Sequence, residues 1–205
     1  MHIRMEKEAE RMLDHAIESG VTYIDTAYPY HDGESEPFVG RVLKKYKRED
    51  FYLATKLPMF KIDSLEQAKE ILEEQMKRLD VDYVDFYLLH ALNKDTWKKV
   101  IDLNIIPYCE ELKKQGRIKN FGFSFHDDYE VFEEIINYRD WDFCQIQLNY
   151  IDTDIQAGMK GYKLTEEKNV PLVIMEPIKG GALASLSDDI EKVFTDYNQN
   201  VSISS

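Results

Sequence analysis

The sequence has few of the residues that mark several common protein classes. It contains two cysteines, Cys109 and Cys144. They are too far apart in sequence for a CxxC metal knuckle and too few for a disulfide framework, so a reducing, cytoplasmic compartment fits them and no metal site is predicted. No stretch approaches the roughly 18 consecutive apolar residues of a membrane span. The charged opening, residues 1–10, lacks the apolar centre of a signal peptide.

Positive charge is also scarce. The chain has 26 Lys and Arg against 39 Asp and Glu, which gives a formal net charge of -13. Nucleic-acid grooves and polybasic membrane patches need concentrated Lys and Arg, so neither kind of partner is expected. The chain has enough apolar residues, 43% of its 205, to bury a substantial core. We therefore predict a single domain over residues 1–205.

Glycine is missing where an open nucleotide-binding sheet would need it. Residues 25–31 contain no glycine, and the chain has no GxGxxG motif. A doubly wound fold is therefore disfavoured. Short apolar segments instead alternate with helical ones, which predicts parallel strands joined by helices. Because these strands are apolar on both faces, a barrel fits better than an open sheet.

The hydrophobic pattern predicts the following elements. Strands are expected at residues 22–26, 51–57, 83–89, 121–125, 143–150 and 171–175. Helices are expected at residues 6–19, 35–46, 65–79, 95–115, 129–138 and 158–168. Ser64 and Gln67 form a plausible capping box for the third helix, and Pro107 a plausible interruption of the fourth. The fold class is thus α/β of the (β/α)8 TIM-barrel type, but incomplete, with about six of its eight strands.

Four side chains suited to proton transfer stand at the ends of these predicted strands. Asp25 lies at the end of the first strand and Tyr30 in the loop after it, Lys56 lies near the end of the second strand, and His90 comes directly after the third. In a parallel barrel the active site is built at the carboxyl ends of the strands, so the four should lie together. Any one of them alone is more often structural than catalytic. Their joint placement carries the hypothesis.

Five short motifs carry a family resemblance. They are the residue 20–40 region with its Asp-Thr-Ala run at 25–27, Ala-Thr-Lys at 54–56, Leu-Leu-His at 88–90, Gly-Phe-Ser at 122–124, and Gln-Ile-Gln-Leu-Asn at 145–149. Because these motifs occur in the same order as in the aldo-keto reductases, the chain resembles that family, and the resemblance covers residues from about 6 to 203. The sequences of these motifs are most similar to a branch of the family whose members often append a cysteine-rich iron-sulfur module, and these 205 residues contain no such module. The resemblance implies a metal-free oxidoreductase that reduces small aldehydes or ketones with NADPH, NADH being the second option.

The resemblance also assigns roles to the four side chains. A carbonyl that accepts hydride develops negative charge on oxygen, so it needs a proton donor and positive potential there. Tyr30 would be the general acid. Lys56 would favour its phenolate, and Asp25 would pair with Lys56 and hold it in place. His90 would orient the substrate carbonyl, in a protonation state that the sequence leaves open.

The resemblance implies two carboxamide contacts for the nicotinamide cofactor, at Ser124 and Gln145. Ser124 has the alternative of capping the next helix, a role that Asp127 with Glu130 would also fill, and Gln145 that of an ordinary barrel-lining amide. Relatives mostly have asparagine after the serine, where this chain has Phe125.

A second stretch, from the last predicted strand onward, is expected to meet the rest of the cofactor. Met175 and Pro177 occupy the segment in which many relatives stack a tyrosine on the nicotinamide, and Met175 can cover that ring as a polarizable apolar surface. Lys179 and Gly180 offer a positive charge and open backbone amides for the pyrophosphate, or simply make a turn.

Compared with the family, the first and last barrel strands are expected to be missing, which would make this either a naturally shortened reductase or a truncated reading of a longer one. Open sheet edges predict self-association, whereas the charge of -13 opposes it. The alternative to an enzyme is a non-catalytic or inactive barrel that binds a nucleotide or a partner. A barrel hydrolase ranks last, because no paired carboxylates or nucleophile elbow is present.

Overall fold

The computed structural model describes residues 3–197, where six strands and eight α-helices alternate. The strands are β1 Tyr23–Asp25, β2 Tyr52–Leu57, β3 Val84–Leu92, β4 Ile118–Phe125, β5 Phe143–Gln147 and β6 Leu172–Met175. The helices are α1 Ile3–Glu18, α2 Ser35–Leu43, α3 Leu65–Leu79, α4 Lys94–Asp102, α5 Ile105–Lys114, α6 Tyr129–Tyr138, α7 Gly158–Lys168 and α8 Asp188–Tyr197. The predicted single domain also includes residues 1–2 and 198–205, and the family resemblance extends to about residue 203; these residues lie outside the described range.

The strands form one parallel sheet in chain order, from β1 to β6. Each strand pairs with the next one along the chain, and β1 and β6 stand at the two ends of the sheet. The sheet curls into part of a barrel with helices on its outer face, so the prediction of an incomplete (β/α)8 barrel with six strands is confirmed. All six carboxyl ends face the same rim, as in any parallel barrel.

Two apolar layers lie on opposite faces of the sheet. The larger one fills the space between the sheet and the helices, and includes Leu53, Leu89 and Phe123. The smaller one lies on the inner face, where Ala54, Leu88 and Phe143 are buried against other inner-face side chains. Alternate residues of a strand point to opposite faces, so each strand contributes to both layers.

Most predicted elements are confirmed, with shifts at their ends. Helices α3, α6 and α7 have the predicted bounds. Strand β3 runs on to Leu92, so His90 lies inside this strand rather than after it. The long fourth helix is two helices, and the break falls at Asn104, which has left-handed backbone (φ 55), rather than at Pro107. Pro107 instead lies in the first turn of α5, where a missing N–H costs nothing.

The caps differ in part from those predicted. The Ser64 hydroxyl accepts a hydrogen bond from the Gln67 N–H at 3.2 Å, as expected, but the Gln67 side chain accepts from the Asp63 N–H instead of completing the box. A full capping box is present at Asn93 before α4. The Asp127 carboxylate accepts from the Lys94 N–H at 2.7 Å, so it caps α4 across the rim and not the following helix.

No helix among residues 3–197 combines the length and apolarity needed to cross a membrane. In the same part of the chain, no three His, Cys, Asp or Glu side chains come together as a group that could hold a metal ion. Both cysteines are buried, and neither forms a disulfide bond.

Candidate functional site

The candidate site is one layer of side chains on the inner face of the sheet, toward its carboxyl rim. On each strand, the site residue lies two positions after a residue of the inner face. Side chains two apart on a strand share a face, so this step keeps every member inside the barrel. The pairs, apolar or small residue first, are Tyr23 and Asp25, Ala54 and Lys56, Leu88 and His90, Gly122 and Ser124, Phe143 and Gln145, and Val173 and Met175.

Lys56 is the centre of this layer. Its side chain is 1% exposed, and its ammonium group forms an ion pair with the Asp25 carboxylate. The same ammonium donates to the carbonyl oxygen of Thr26 at 3.0 Å and to the Tyr30 hydroxyl at 3.4 Å. An isolated buried ammonium would be costly, so Asp25 and the Thr26 carbonyl are what allow a charged lysine here.

Tyr30 places its hydroxyl at the mouth of the site. It begins a short 3-10 turn, Tyr30–Gly33, that leads from β1 to α2, and it is 38% exposed. The next two residues, His31 and Asp32, have left-handed backbone with φ of 52° and 56°. The hydroxyl is therefore open to a ligand on one side and contacts the Lys56 ammonium on the other.

His90 completes the predicted set. Its ring packs edge-on against the Tyr30 ring at a centroid distance of 5.6 Å, and also contacts Phe60. Burial lowers the pKa of His90 from 6.5 to about 3, and the positive charge of Lys56 adds to this effect. The imidazole is therefore neutral at neutral pH. Its Nδ1 is buried with no hydrogen-bond partner among the described residues.

Two of the predicted cofactor residues lie beside this set. Ser124 and Gln145 are register partners on β4 and β5. The Gln145 amide donates to Asp25 at 3.3 Å, while its carbonyl oxygen, Oε1, is buried with no partner in the described part of the chain. The Ser124 hydroxyl oxygen accepts from the Ala91 N–H at 2.8 Å, so Ser124 steadies a strand and does not cap a helix.

The other four predicted cofactor residues lie at the end of the sheet, on β6 and the loop after it. Met175 is half-buried, whereas Pro177 and Gly180 are exposed. Lys179 forms an ion pair with Asp152 at 2.7 Å, and within residues 3–197 none of the four hydrogen-bonds to the Lys56 group. Gly180 has φ 66°, so this stretch does make the turn that its glycines suggested.

Sequence reasoning gave no role to a buried polar cluster on the other face of β2. Glu36 from α2 is 0% exposed and contacts Thr55, Gln75 and Arg78. The signal was present, because Glu36 is a charged residue within one of the quoted motifs. Thr55 comes from β2, while Gln75 and Arg78 come from α3, about 40 residues away in sequence, and nothing in the local pattern identifies them.

Comparisons with known proteins agree with this geometry. The sequence model described as the Aldo/keto reductase family matches residues 4–202. An uncharacterized oxidoreductase of Bacillus subtilis is 31% identical over 86% of this chain and 58% of its own length. An NADH-specific methylglyoxal reductase of Escherichia coli is 25% identical over 80% of this chain and 54% of its own length. The chain thus spans just over half the length of these two relatives.

A solved structure supports the same assignment. The holo form of an aldo-keto reductase from Bacillus halodurans superposes with a TM-score of 0.71 at 32% identity. The match covers 89% of this chain and 60% of that protein.

Proposed function

The chain belongs to the aldo/keto reductase family, and from that premise we propose that it reduces small aldehydes or ketones to alcohols, with Tyr30 as the general acid. One observation carries the proposal, namely the contact of the Tyr30 hydroxyl with a buried Lys56 ammonium that is itself paired with Asp25. A proton donor beside a fixed positive charge is what a carbonyl needs as it accepts a hydride.

The proton would come from Tyr30. A reduced nicotinamide cofactor, when bound, supplies the hydride to the carbonyl carbon. The Tyr30 hydroxyl gives its proton to the carbonyl oxygen, which leaves a phenolate facing the Lys56 ammonium. Because Lys56 is held by Asp25 and the Thr26 carbonyl before the reaction starts, no reorganisation is needed as the negative charge forms.

His90 would orient the substrate. A neutral imidazole donates a hydrogen bond through one ring nitrogen without adding a second positive charge next to Lys56. Its position against the Tyr30 ring places it on the same side of the site as the proton donor. We therefore assign His90 to holding the carbonyl oxygen near the Tyr30 hydroxyl, and not to donating the proton.

The residues present fit a nicotinamide cofactor. The Oε1 of Gln145, which has no hydrogen-bond partner within residues 3–197, can accept from a carboxamide N–H. Ser124 accepts from Ala91 through its oxygen, so its hydroxyl proton is left to donate to a carboxamide oxygen. Met175 would cover the ring, with Pro177 beside it. Lys179 would exchange part of its pairing with Asp152 for the pyrophosphate, near the open backbone of Gly180.

NADPH is the cofactor that the family implies, and NADH has to be tested beside it, because the E. coli relative is named as NADH-specific. That relative is also named as a methylglyoxal reductase. We accordingly propose small, activated aldehydes as the substrate class, with methylglyoxal as the first probe.

The test is cofactor titration followed by turnover. Binding of NADPH and NADH is measured by nucleotide fluorescence, and methylglyoxal is then added while cofactor absorbance is followed. We expect saturable binding and aldehyde-dependent oxidation of the cofactor. Tyr30→Phe should lower kcat about 10²- to 10⁴-fold, the usual contribution of a general acid, with the cofactor Kd unchanged.

The matched control is Tyr52→Phe, which removes an exposed hydroxyl from the opposite end of the strand that carries Lys56. It should leave kcat unchanged. Saturable binding without turnover would support the non-catalytic nucleotide-binding alternative. A folded chain that binds neither cofactor would overturn the reductase proposal for these residues.

A further inference from the structure

A fully buried carboxylate stands behind the site, on the face of β2 away from Tyr30. Glu36 is 0% exposed. Its Oε1 accepts from the Thr55 hydroxyl at 2.6 Å and from the Gln75 amide at 2.8 Å. Its Oε2 accepts from the Arg78 guanidinium at 3.3 Å. Both oxygens of this carboxylate thus have hydrogen-bond partners, as a buried charge requires.

One arm of the cluster reaches the backbone of Lys56. The Gln75 amide nitrogen also donates to the carbonyl oxygen of Lys56 at 3.0 Å. The Gln75 amide oxygen accepts from the Tyr87 hydroxyl at 2.9 Å, which fixes the orientation of the amide. Thr55, bound to Glu36, is the residue directly before Lys56 in β2. The backbone that carries the Lys56 side chain is therefore fixed by hydrogen bonds on the face of β2 away from Tyr30.

The other arm reaches the loop that carries Tyr30. The Arg78 guanidinium donates to the carbonyl oxygen of Tyr28 at 3.3 Å and lies 4.2 Å from the centroid of the Tyr28 ring. Tyr28 precedes Tyr30 by two residues in the loop from β1 to α2. Glu36 binds both Arg78 and Gln75, so one carboxylate joins the support of this loop to the support of Lys56.

Burial raises the pKa of Glu36, and hydrogen bonds from Thr55 and Gln75 together with the charge of Arg78 oppose that rise. Replacing a buried ion pair by well-packed apolar side chains often leaves the stability of a protein unchanged or raises it. The use of a carboxylate at a position 0% exposed therefore points to a geometric role.

We propose that Glu36 and Gln75 are positioning residues, which set the 3.4 Å separation between the Lys56 ammonium and the Tyr30 hydroxyl from the opposite face of the strand. The inference rests on the proposed function, because the separation matters if Tyr30 is the proton donor. It assigns no contact with substrate to either residue. Gln75 acts through the backbone of Lys56, and Glu36 acts through Gln75 and Thr55 on that strand and through Arg78 on the loop before Tyr30.

The test compares Glu36→Gln, Gln75→Leu and the milder Arg78→Lys with a matched control, Asp85→Asn. Asp85 is likewise a largely buried carboxylate, which accepts from the Leu53 N–H at 2.9 Å and from Arg48, at the opposite end of β2. Glu36→Gln, Gln75→Leu and Asp85→Asn all alter support of the same strand. Glu36→Gln and Gln75→Leu affect the part of it that carries Lys56, whereas Arg78→Lys affects the support of the loop before Tyr30.

Two readouts separate positioning from general stability. The first readout is the comparison of kcat with the Kd of the cofactor in each variant. We expect kcat to fall about 10- to 100-fold in Glu36→Gln and Gln75→Leu while Kd stays unchanged, because a small misplacement of a reacting group slows the reaction without weakening cofactor binding. The second is the NMR signal of the Tyr30 ring in protein labelled with [13Cζ]tyrosine, assigned by its loss in Tyr30→Phe. The chemical shift of that signal should change in the three test variants and stay the same in Asp85→Asn.

The NMR readout needs no turnover, so the two proposals can fail separately. An inactive wild-type chain whose Tyr30 signal still moves in the test variants would refute the proposed function and keep the positioning role. A Tyr30 signal and a kcat that are the same in the wild type and in the folded test variants would refute the positioning role. Arg78→Lys, at a partly exposed position, keeps the test usable if the two buried substitutions prevent folding.

Discussion

At the scale of single residues, the two basic side chains of the site differ in their partners. Lys56 is 1% exposed, and its ammonium group contacts the Asp25 carboxylate, the Thr26 carbonyl oxygen and the Tyr30 hydroxyl. His90 has no anionic partner in the described residues and lies near Lys56, so it is kept neutral. One fixed positive charge therefore faces Tyr30, and a second one is excluded.

The neutral state of His90 predicts a pH dependence of stability. The pKa of this histidine is about 3 in the folded protein and 6.5 when free. Between these values the unfolded chain binds a proton that the folded chain does not, so stability is lost as pH falls below about 6.5. From about pH 7 to about pH 5, wild type should lose about 2 kcal/mol of unfolding free energy more than His90→Gln does.

Urea titrations at the two pH values measure this difference. His15→Gln, at an exposed position of α1, is the control and should lose stability with pH as wild type does. Equal losses in wild type and His90→Gln would show that His90 is not held neutral.

Some properties of the site residues could be predicted from the local sequence, and others could not. Asp25, Lys56 and His90 were predicted from their places at strand ends, because the carboxyl ends of parallel strands must share one rim. The protonation state of His90 was not predictable, since it depends on burial by Tyr30 and Phe60. Nor was it predictable that the buried Oε1 of Gln145 has no partner in the described part of the chain, since this depends on all of its neighbours in the fold.

At the scale of elements, the approach of α2 to α3 brings the Glu36 cluster together. Gly40 makes that approach possible, because a Cβ there would lie 2.6 Å from the carbonyl oxygen of Leu79 and 2.7 Å from that of Arg78. Both obstructing atoms belong to the backbone and cannot rotate away. The spacing between the two helices, and with it the reach of Arg78 to Glu36, therefore depends on glycine at this position.

Gly40→Ala should consequently destabilise the protein. Alanine in a helix is normally favoured over glycine by about 1 kcal/mol. The clash with backbone should outweigh this gain and leave a net loss of about 1–3 kcal/mol. Chemical denaturation measures the loss, and Glu70→Ala, at an exposed site on α3, is the control with little expected change. A stabilised Gly40→Ala would mean that the helices separate without cost.

Element types and most bounds followed from the hydrophobic period, as α3, α6 and α7 show. The end of α4 did not, because the break depends on Asn104 adopting a left-handed conformation. The reach of β3 past His90 did not either. Its last residues are held by β4, where Leu92 pairs with Phe125, and such pairing leaves no mark in the sequence of one strand.

At the scale of the whole molecule, the sheet has two end strands and a strong net charge. Among the described residues, β1 and β6 each pair on one side only, and an unpaired strand edge favours association. The charge of -13 opposes contact between copies. We expect the balance to depend on salt, because screening weakens repulsion over distances of about 10 Å at 0.1 M while leaving edge pairing intact.

Sedimentation velocity tests this expectation. The sedimentation coefficient should rise with protein concentration, and rise further when sodium chloride is added. A single monomeric species at every salt and protein concentration would show that the edges are protected.

The sequence by itself determined the parallel α/β class, the family and the set of chemical groups at the rim. These depend on periodicity and on residue types at strand ends, which are local properties. The tertiary structure alone decided what state those groups are in. The ion pair of Lys56 with Asp25, the neutrality of His90, the free oxygen of Gln145 and the support from Glu36 all arise between residues distant in the chain. Burial and partnership are properties of the packed molecule, and they govern the cost of each charge.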